Sequence, residues 1–216
     1  MTPKRAPLRA VLFDWDGTLL DSAEACRRSY ERLFGSFGIA FDRGVFDATY
    51  SPDWYRTYEK VGLPREKWDE ADAAWLAIYA SEECGLVAGA SDMLSLLEER
   101  GVSTALVTSG TRERVRGELV RLRLDRSFRA VICSEDAPRR KPHPEPLLVG
   151  LDLLGVAPPD AAYVGDSPED IGMARAAGVF SVGVSGAFPN REALRAAAPD
   201  LFAETLLNAI RRLLNA

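Results

Sequence analysis

Residues 9–19 read Arg9-Ala10-Val11-Leu12-Phe13-Asp14-Trp15-Asp16-Gly17-Thr18-Leu19. The run from Ala10 to Phe13 is apolar at every position, as in a strand buried on both faces, and it ends in two carboxylates and a glycine. At the carboxyl end of a parallel-sheet strand, Asp14 and Asp16 project into the crevice where open α/β sheets bind ligands. Gly17 permits the sharp backbone exit that follows. Two acids this close are costly unless a proton or a cation is shared between them, and hard carboxylate oxygens suit Mg²⁺. A plain turn after a strand also favours Asp and Gly, so this reading needs support from elsewhere in the chain.

Three other segments supply it, each at the end of its own apolar run. Val102-Ser103-Thr104-Ala105-Leu106-Val107 leads into Thr108-Ser109-Gly110, whose hydroxyls and backbone amides are suited to an anion. Lys141 lies in Arg139-Arg140-Lys141-Pro142-His143-Pro144, where two prolines stiffen the backbone around a basic side chain. Ala161-Ala162-Tyr163-Val164 leads into Gly165-Asp166-Ser167-Pro168-Glu169-Asp170. Asp170 there also favours a helix N-terminus electrostatically, whereas Asp166 has no such structural excuse.

The periodicities give the organisation. From residue 90 onward helices alternate with short apolar strands: helix 90–100, strand 102–107, helix 111–123, strand 129–133, helix 144–154, strand 161–164, helix 168–177, strand 179–184. The pair Leu201-Phe202 reads as an edge strand before a last helix over 203–214. Such alternation predicts an α/β fold with a Rossmann-like parallel sheet, helices on both faces and right-handed crossovers. Residues 22–87 break the pattern. Ser22 reads as the N-cap of a helix over Ala23–Phe34, with further helices over 53–61 and 65–82 and no strand. The expected division is a catalytic core of residues 1–21 and 88–216 with an all-helical cap, 22–87, inserted between its first strand and the rest.

Composition narrows the function. At 216 residues and 47% hydrophobic content the chain can bury one large core and carry a small second unit. Cys26, Cys84 and Cys133 are odd in number and far apart, which argues against a zinc site or a disulfide framework and for a reducing compartment. No apolar stretch approaches the roughly 20 residues a bilayer span needs, and no signal-peptide core follows the first residues, so a cytoplasmic protein is expected. A net charge of −5 offers nucleic acid no electrostatic footprint. Its distribution is uneven: residues 22–87 carry 8 Lys and Arg against 12 Asp and Glu, and residues 109–145 carry 10 against 6. The basic stretch flanks Thr108 and Lys141, although most arginines of Arg112-Glu113-Arg114-Val115-Arg116-Gly117-Glu118 read as a solvated helix face.

Taken in order, Asp14-Trp15-Asp16-Gly17-Thr18, Thr108 after a strand, Lys141 before a proline, and Gly165-Asp166-x-x-x-Asp170 resemble the four motifs of the haloacid dehalogenase superfamily of phosphotransferases. Within it the chain is similar to phosphoglycolate-phosphatase-like hydrolases with a helical cap. Gly85-Leu86-Val87-Ala88-Gly89 departs from the proline-rich hinge usual where such a cap returns to the core. The resemblance implies a phosphatase that uses Mg²⁺ and an aspartyl-phosphate. It makes Asp14 the nucleophile, Asp16 the general acid and base, and Asp14, Asp166 and the backbone carbonyl of Asp16 the metal ligands, with Asp170 orienting that shell. Thr108, Ser109 and Gly110 would hold the phosphoryl oxygens, and Lys141 would balance their charge. The implied partner is a small phosphorylated metabolite, with no membrane or nucleic acid, and the chain would be a monomer or homodimer.

Specificity is expected in the loop Ala48-Thr49-Tyr50-Ser51-Pro52-Asp53-Trp54-Tyr55-Arg56. There Arg56 could pair with an anionic part of the substrate, while Trp54 reads as cap core. His143, the lone histidine, reads as a rim residue. A sugar phosphomutase shares the same core, and a silent binding protein could keep the fold. Intact Asp14, Asp16, Thr108, Lys141, Asp166 and Asp170 argue against the silent form. A dehalogenase has no use for Asp16, and the cap lysines Lys60 and Lys67 carry no signature of a Schiff-base phosphonate hydrolase.

Overall fold

A computed structural model describes residues 8–215. The strands β1 (Ala10–Phe13), β2 (Ser103–Val107), β3 (Ala130–Ile132), β4 (Ala161–Gly165), β5 (Phe180–Val184) and β6 (Leu201–Ala203) form one parallel sheet in the order β3-β2-β1-β4-β5-β6. The order reverses at β1, which pairs with β2 on one side and β4 on the other. That reversal opens the crevice in which α/β sheets place their ligands.

Alternation along the strands divides the core between two faces. Val11, Phe13, Leu106, Ala162 and Val164 pack with α5 (Ala90–Glu99), α6 (Arg112–Arg121) and α10 (Leu206–Leu214). Ala10, Leu12, Ala105, Val107 and Tyr163 face α7 (Glu145–Leu154) and α8 (Pro168–Ala176). Every residue of β1 is fully buried, which is why its sequence shows no polar alternation.

Between β1 and α5 lie α1 (Ala23–Ser36), α2 (Arg43–Thr49), α3 (Trp54–Lys60) and α4 (Trp68–Tyr79), with a 3₁₀ turn at Arg65–Lys67. They close around a cluster of their own, centred on Tyr30, Leu33, Phe34, Phe41, Phe46 and Tyr58. Phe188, in the loop after β5, joins that cluster and stacks on Tyr50 with ring centroids 4.5 Å apart. The two chain crossings beside this helical layer are tied to each other. Asp21 N donates to the Gly85 carbonyl and Val87 N to the Leu19 carbonyl, each at 2.9 Å.

The structure departs from the expected elements in several places. Ser22 does not cap α1: its backbone is already helical, its side chain makes no cap bond, and its buried Oγ has no partner. The helix expected over 65–82 begins after Pro64 as a 3₁₀ turn, becoming α-helical at Trp68. Two short helices had no predicted counterpart, α2 and α9 (Arg191–Ala196). Asp42 marks the first, its side chain accepting from Val45 N at 2.9 Å. The last helix starts at Leu206, where Thr205 accepts from Asn208 N. All three cysteines are free and buried. No helix among the described residues is long and apolar enough to cross a membrane.

Candidate active site

The carboxyl ends of β1, β2 and β4 deliver the motif residues to one point. Asp14 continues the β1 ladder, its N–H donating to the Val164 carbonyl at 2.9 Å. Beyond it the chain tightens into a loop in which the amides of Thr18, Leu19 and Leu20 all donate to the Trp15 carbonyl. Gly17 adopts φ +82°, and a Cβ there would lie 2.3 Å from Oδ2 of Asp166. A side chain at 17 would therefore be strained by its backbone and would also displace a site carboxylate.

Lys141 is the hub. Its Nζ donates to Asp14 Oδ1 at 2.6 Å, to Tyr163 Oη at 2.7 Å and to Asp170 Oδ1 at 2.8 Å. The Tyr163 hydroxyl in turn donates to the Val107 carbonyl at 3.0 Å. The other oxygen of Asp170 accepts from Ser167 N and Ser167 Oγ, while Ser167 Oγ accepts from Asp170 N. This capping box starts α8 and fixes the carboxylate in one pose. Gly165 makes room for it, since a Cβ at 165 would sit 2.4 Å from Asp170 Cγ.

Asp14, Asp166 and Asp170 each offer an oxygen to a cluster spanning no more than 4.8 Å, and all three residues are buried. One ammonium does not balance them. Burial pushes Asp14 from the ordinary 3.8 up to about 7 despite the pull of Lys141, and Asp170 and Asp16 add to the rise. Burial, followed by the charges of Asp14 and Asp170, pushes Asp166 well above the carboxylate range. Asp166 Oδ2 has no hydrogen-bond partner. Raised, crowded carboxylates with an orphaned oxygen are what a site shaped around a second cation presents when only the protein's own charges are counted. The donors are hard oxygens, as Mg²⁺ requires.

Asp16 turns elsewhere. Arg114 of α6 grips it in a fork, Nη1 to Oδ1 at 3.1 Å and Nη2 to Oδ2 at 2.6 Å. The same Nη1 donates to Glu118 Oε1 at 3.1 Å, and Glu118 also accepts from Trp15 Nε1 at 2.6 Å. Arg114 lies 5.2 Å over the Tyr79 ring and is only 14% exposed in its side chain. The solvated-face reading of its helix therefore does not extend to Arg114. Its i,i+4 spacing to Glu118 was the available signal, and that spacing is equally common on solvated faces.

Thr108 is buried, with its N–H on the Ile132 carbonyl. Its Oγ1 accepts from Gly110 N at 3.0 Å, so that amide is already engaged, while Ser109 lines the open cavity. Arg56 lies apart from these residues. Its guanidinium pairs with Asp53 at 3.4 Å, it is 66% exposed, and it does not line the cavity. Arg140, 4.6 Å over the Trp54 ring, does line it, and so does Trp54, which also packs against the helical layer's own cluster as expected. His143 contacts Arg139 Nη1 through Nε2 at 2.8 Å and stays outside the carboxylate cluster.

The chain matches known proteins over most of its length. The family model for haloacid dehalogenase-like hydrolases matches residues 11–184. Pyrophosphatase PpaX of Bacillus velezensis is 30% identical over 210 residues, covering 95% of each chain. Phosphoglycolate phosphatase 1 of Pseudomonas aeruginosa is 29% identical over 213 residues, covering 92% of this chain and 77% of that protein. Among solved structures, a β-phosphoglucomutase from Clostridium difficile superposes with a TM-score of 0.77 at 21% identity, covering 96% of this chain and 97% of that one. At that identity the likeness is one of fold.

Proposed function

The chain belongs to the haloacid dehalogenase-like hydrolase family, and on that premise we propose that it is a Mg²⁺-dependent phosphomonoesterase working through an aspartyl-phosphate on Asp14. The observation that carries this reading is the contact of Lys141 Nζ with Asp14 Oδ1 at 2.6 Å inside a cluster of three buried carboxylates. A nucleophilic carboxylate can approach a phosphoester dianion only where positive charge offsets the repulsion. The phosphatase and pyrophosphatase names of its relatives point to the same chemistry.

In the first step an Asp14 oxygen attacks phosphorus, the ester P–O bond breaks, and the leaving oxygen takes a proton from Asp16. In the second, water attacks the phosphorus, yields a proton to Asp16, and the bond between phosphorus and Asp14 breaks to release inorganic phosphate. Arg114 fixes the plane of the Asp16 carboxylate through both oxygens, and each oxygen keeps a second lone pair for the proton. Lys141 balances charge on the transferring group, while Thr108 and the Ser109 segment border the place that group occupies. A divalent cation held by Asp14 and Asp166, with Asp170 beside them, would supply the positive charge that the single ammonium of Lys141 leaves short.

The test separates the two acids of the first loop. With an activated aryl phosphate, whose leaving group hardly needs a proton, Asp16→Asn should still be phosphorylated on Asp14. Hydrolysis of the adduct should then slow by about 10²–10⁴-fold for want of a general base. Intact-protein mass spectrometry after acid quench should show one added phosphoryl group on that variant and none on Asp14→Asn. An adduct on Asp14→Asn, or native turnover of an unactivated alkyl phosphate by Asp16→Asn, would overturn this division of roles between Asp14 and Asp16.

A further inference from the structure

The cavity that begins at Asp14, Thr108 and Lys141 extends well past the space a phosphoryl group needs. Its volume is about 660 Å³, inside the range of roughly 300–1,000 Å³ typical of sites for drug-sized ligands. Beyond the catalytic end its wall is built from Tyr30, Tyr50, Trp54, Tyr58, Trp75 and Tyr79. No Lys, Arg or His from residues 22–87 lines it. The charged groups that this helical layer contributes are Asp53 and Asp72, and the core adds Glu169. Asp72 is built into the wall by the hydroxyls of Tyr55 and Tyr58, which donate to its two oxygens at 2.9 and 3.0 Å.

Three cations line the cavity among the described residues. Lys141 is engaged by Asp14 and Asp170, and Arg114 by Asp16 and Glu118. Arg140 lies over the face of Trp54. A leaving group with its own carboxylate or second phosphate would give up water in an aromatic chamber that already holds three carboxylates, of which Asp53 is paired with Arg56 outside the cavity, and Arg140 is the one lining cation left to offset it. Burying an unpaired charge costs far more than burying a ring, whereas a planar apolar group finds stacking faces on several sides.

Resting on the phosphomonoesterase reading above, we propose that the chain selects phosphomonoesters of uncharged, ring-bearing alcohols and disfavours acidic leaving groups such as glycolate or a second phosphate. The names of its relatives would then mark shared chemistry without a shared substrate.

The test compares the intact, Mg²⁺-loaded chain on 2-phenylethyl phosphate, phosphoglycolate and inorganic pyrophosphate, with 4-nitrophenyl phosphate as an activated control. The phenylethyl and glycolate alkoxides are of similar basicity, so that pair reads recognition and not leaving-group reactivity. The expected kcat/KM for 2-phenylethyl phosphate exceeds that for phosphoglycolate and for pyrophosphate by about ten-fold or more. Trp54→Ala should narrow the gap by raising KM for the phenylethyl ester. Asp53→Lys should narrow it from the other side, by raising kcat/KM for phosphoglycolate. A wild-type chain that hydrolyses phosphoglycolate or pyrophosphate as fast as 2-phenylethyl phosphate overturns the selectivity, and turnover of 4-nitrophenyl phosphate in the same preparation leaves the phosphomonoesterase reading intact. No turnover of any of the four overturns both.

Discussion

Arg114→Ala is a demanding test of the link between α6 and the catalytic loop. It removes one guanidinium that serves two carboxylates 102 positions apart, Asp16 and Glu118. The Arg114 and Glu118 side chains are 14% and 12% exposed, and burial raises the Glu118 carboxyl while Arg114 opposes the rise most strongly. Without it, Glu118 keeps only Trp15 Nε1 and Asp16 loses both arms of its clamp. Stripping one partner from a buried pair costs about 3–5 kcal/mol, and Asp16, 31% exposed, places this case near the lower end. For a chain of this length about 3 kcal/mol corresponds to a fall in Tm of roughly 6–12 °C. Thermal unfolding followed by circular dichroism would measure it, with Arg112→Ala as the control. The pair of Arg112 with Asp136 is 41% and 24% exposed and should be worth less than about 1 kcal/mol. Restoring neutrality with Glu118→Gln in the Arg114→Ala background should recover part of the loss. In the same preparations kcat for an alkyl phosphate should fall while KM changes little, because Asp16 is misplaced and the aromatic wall is not. An Arg114→Ala protein that melts within about 2 °C of wild type would show that the network is solvated and that Arg114 does not hold Asp16 in place.

Glycine variants and the pH dependence of stability provide the other tests. Gly165→Ala drives a methyl into Asp170 and should cost about 1–3 kcal/mol together with most of the activity. Gly35→Ala, in α1 with nothing within 4 Å of the new methyl, should stabilise by about 0.4–1 kcal/mol; urea midpoints of the two variants moving in the same direction would refute the packing argument. The metal-free chain should lose stability as pH rises from about 4 to 7. Asp14 binds its proton more tightly folded than unfolded, so its contribution is fully present below 3.8 and disappears through about 7. Asp166, raised by burial and by the Asp14 charge, acts in the same direction, so the two carboxylates lower stability together as they ionise. Mg²⁺ should accordingly raise Tm more at pH 8 than at pH 5, and an equal shift at both would contradict this.

What could be read from the sequence was what is local. Apolar runs ending in acids or a hydroxyl are strand-end signals confined to about ten residues each, and they placed β1, β2 and β4 and the groups at their tips; Lys141, in the loop between β3 and α7, was marked by its flanking prolines. Arg114 was not legible, because its alternatives differ by the rotation of α6 relative to a loop 98 positions earlier. Arg56 and Trp54 lie two residues apart in α3, and of the two only Trp54 lines the cavity. Composition favours an arginine for anions and a tryptophan for a core; Arg56 instead pairs with Asp53, whereas the Trp54 ring packs on the cap cluster and lines the cavity as well. The helices α2 and α9, at seven and six residues, are too short for a periodicity to register, and only the cap at Asp42 announced the first. Ser22 had the residue type of an N-cap, but its side chain is buried in the cavity wall and makes no cap bond.

The position of β1 at the centre of the sheet bears on how the molecule is made. Its two neighbours, β2 and β4, follow it by about 90 and 150 residues. At a synthesis rate of about 5–20 residues per second, the strand that bears Asp14 leaves the ribosome roughly 8–30 s before both of its edges can be covered. Until β2 follows, Ala10–Phe13 is an uncovered apolar β template, and until β4 follows one of its edges stays open, while the helices that follow it can already close on their local contacts. The nascent chain is therefore most exposed to aggregation and chaperone capture at this strand. No fragment ending before Val164 contains both Lys141 and the Val164 carbonyl, which hold Asp14 in place, and Asp166 and Asp170 follow β4, so the site is complete only after β4 and the start of α8 have been added.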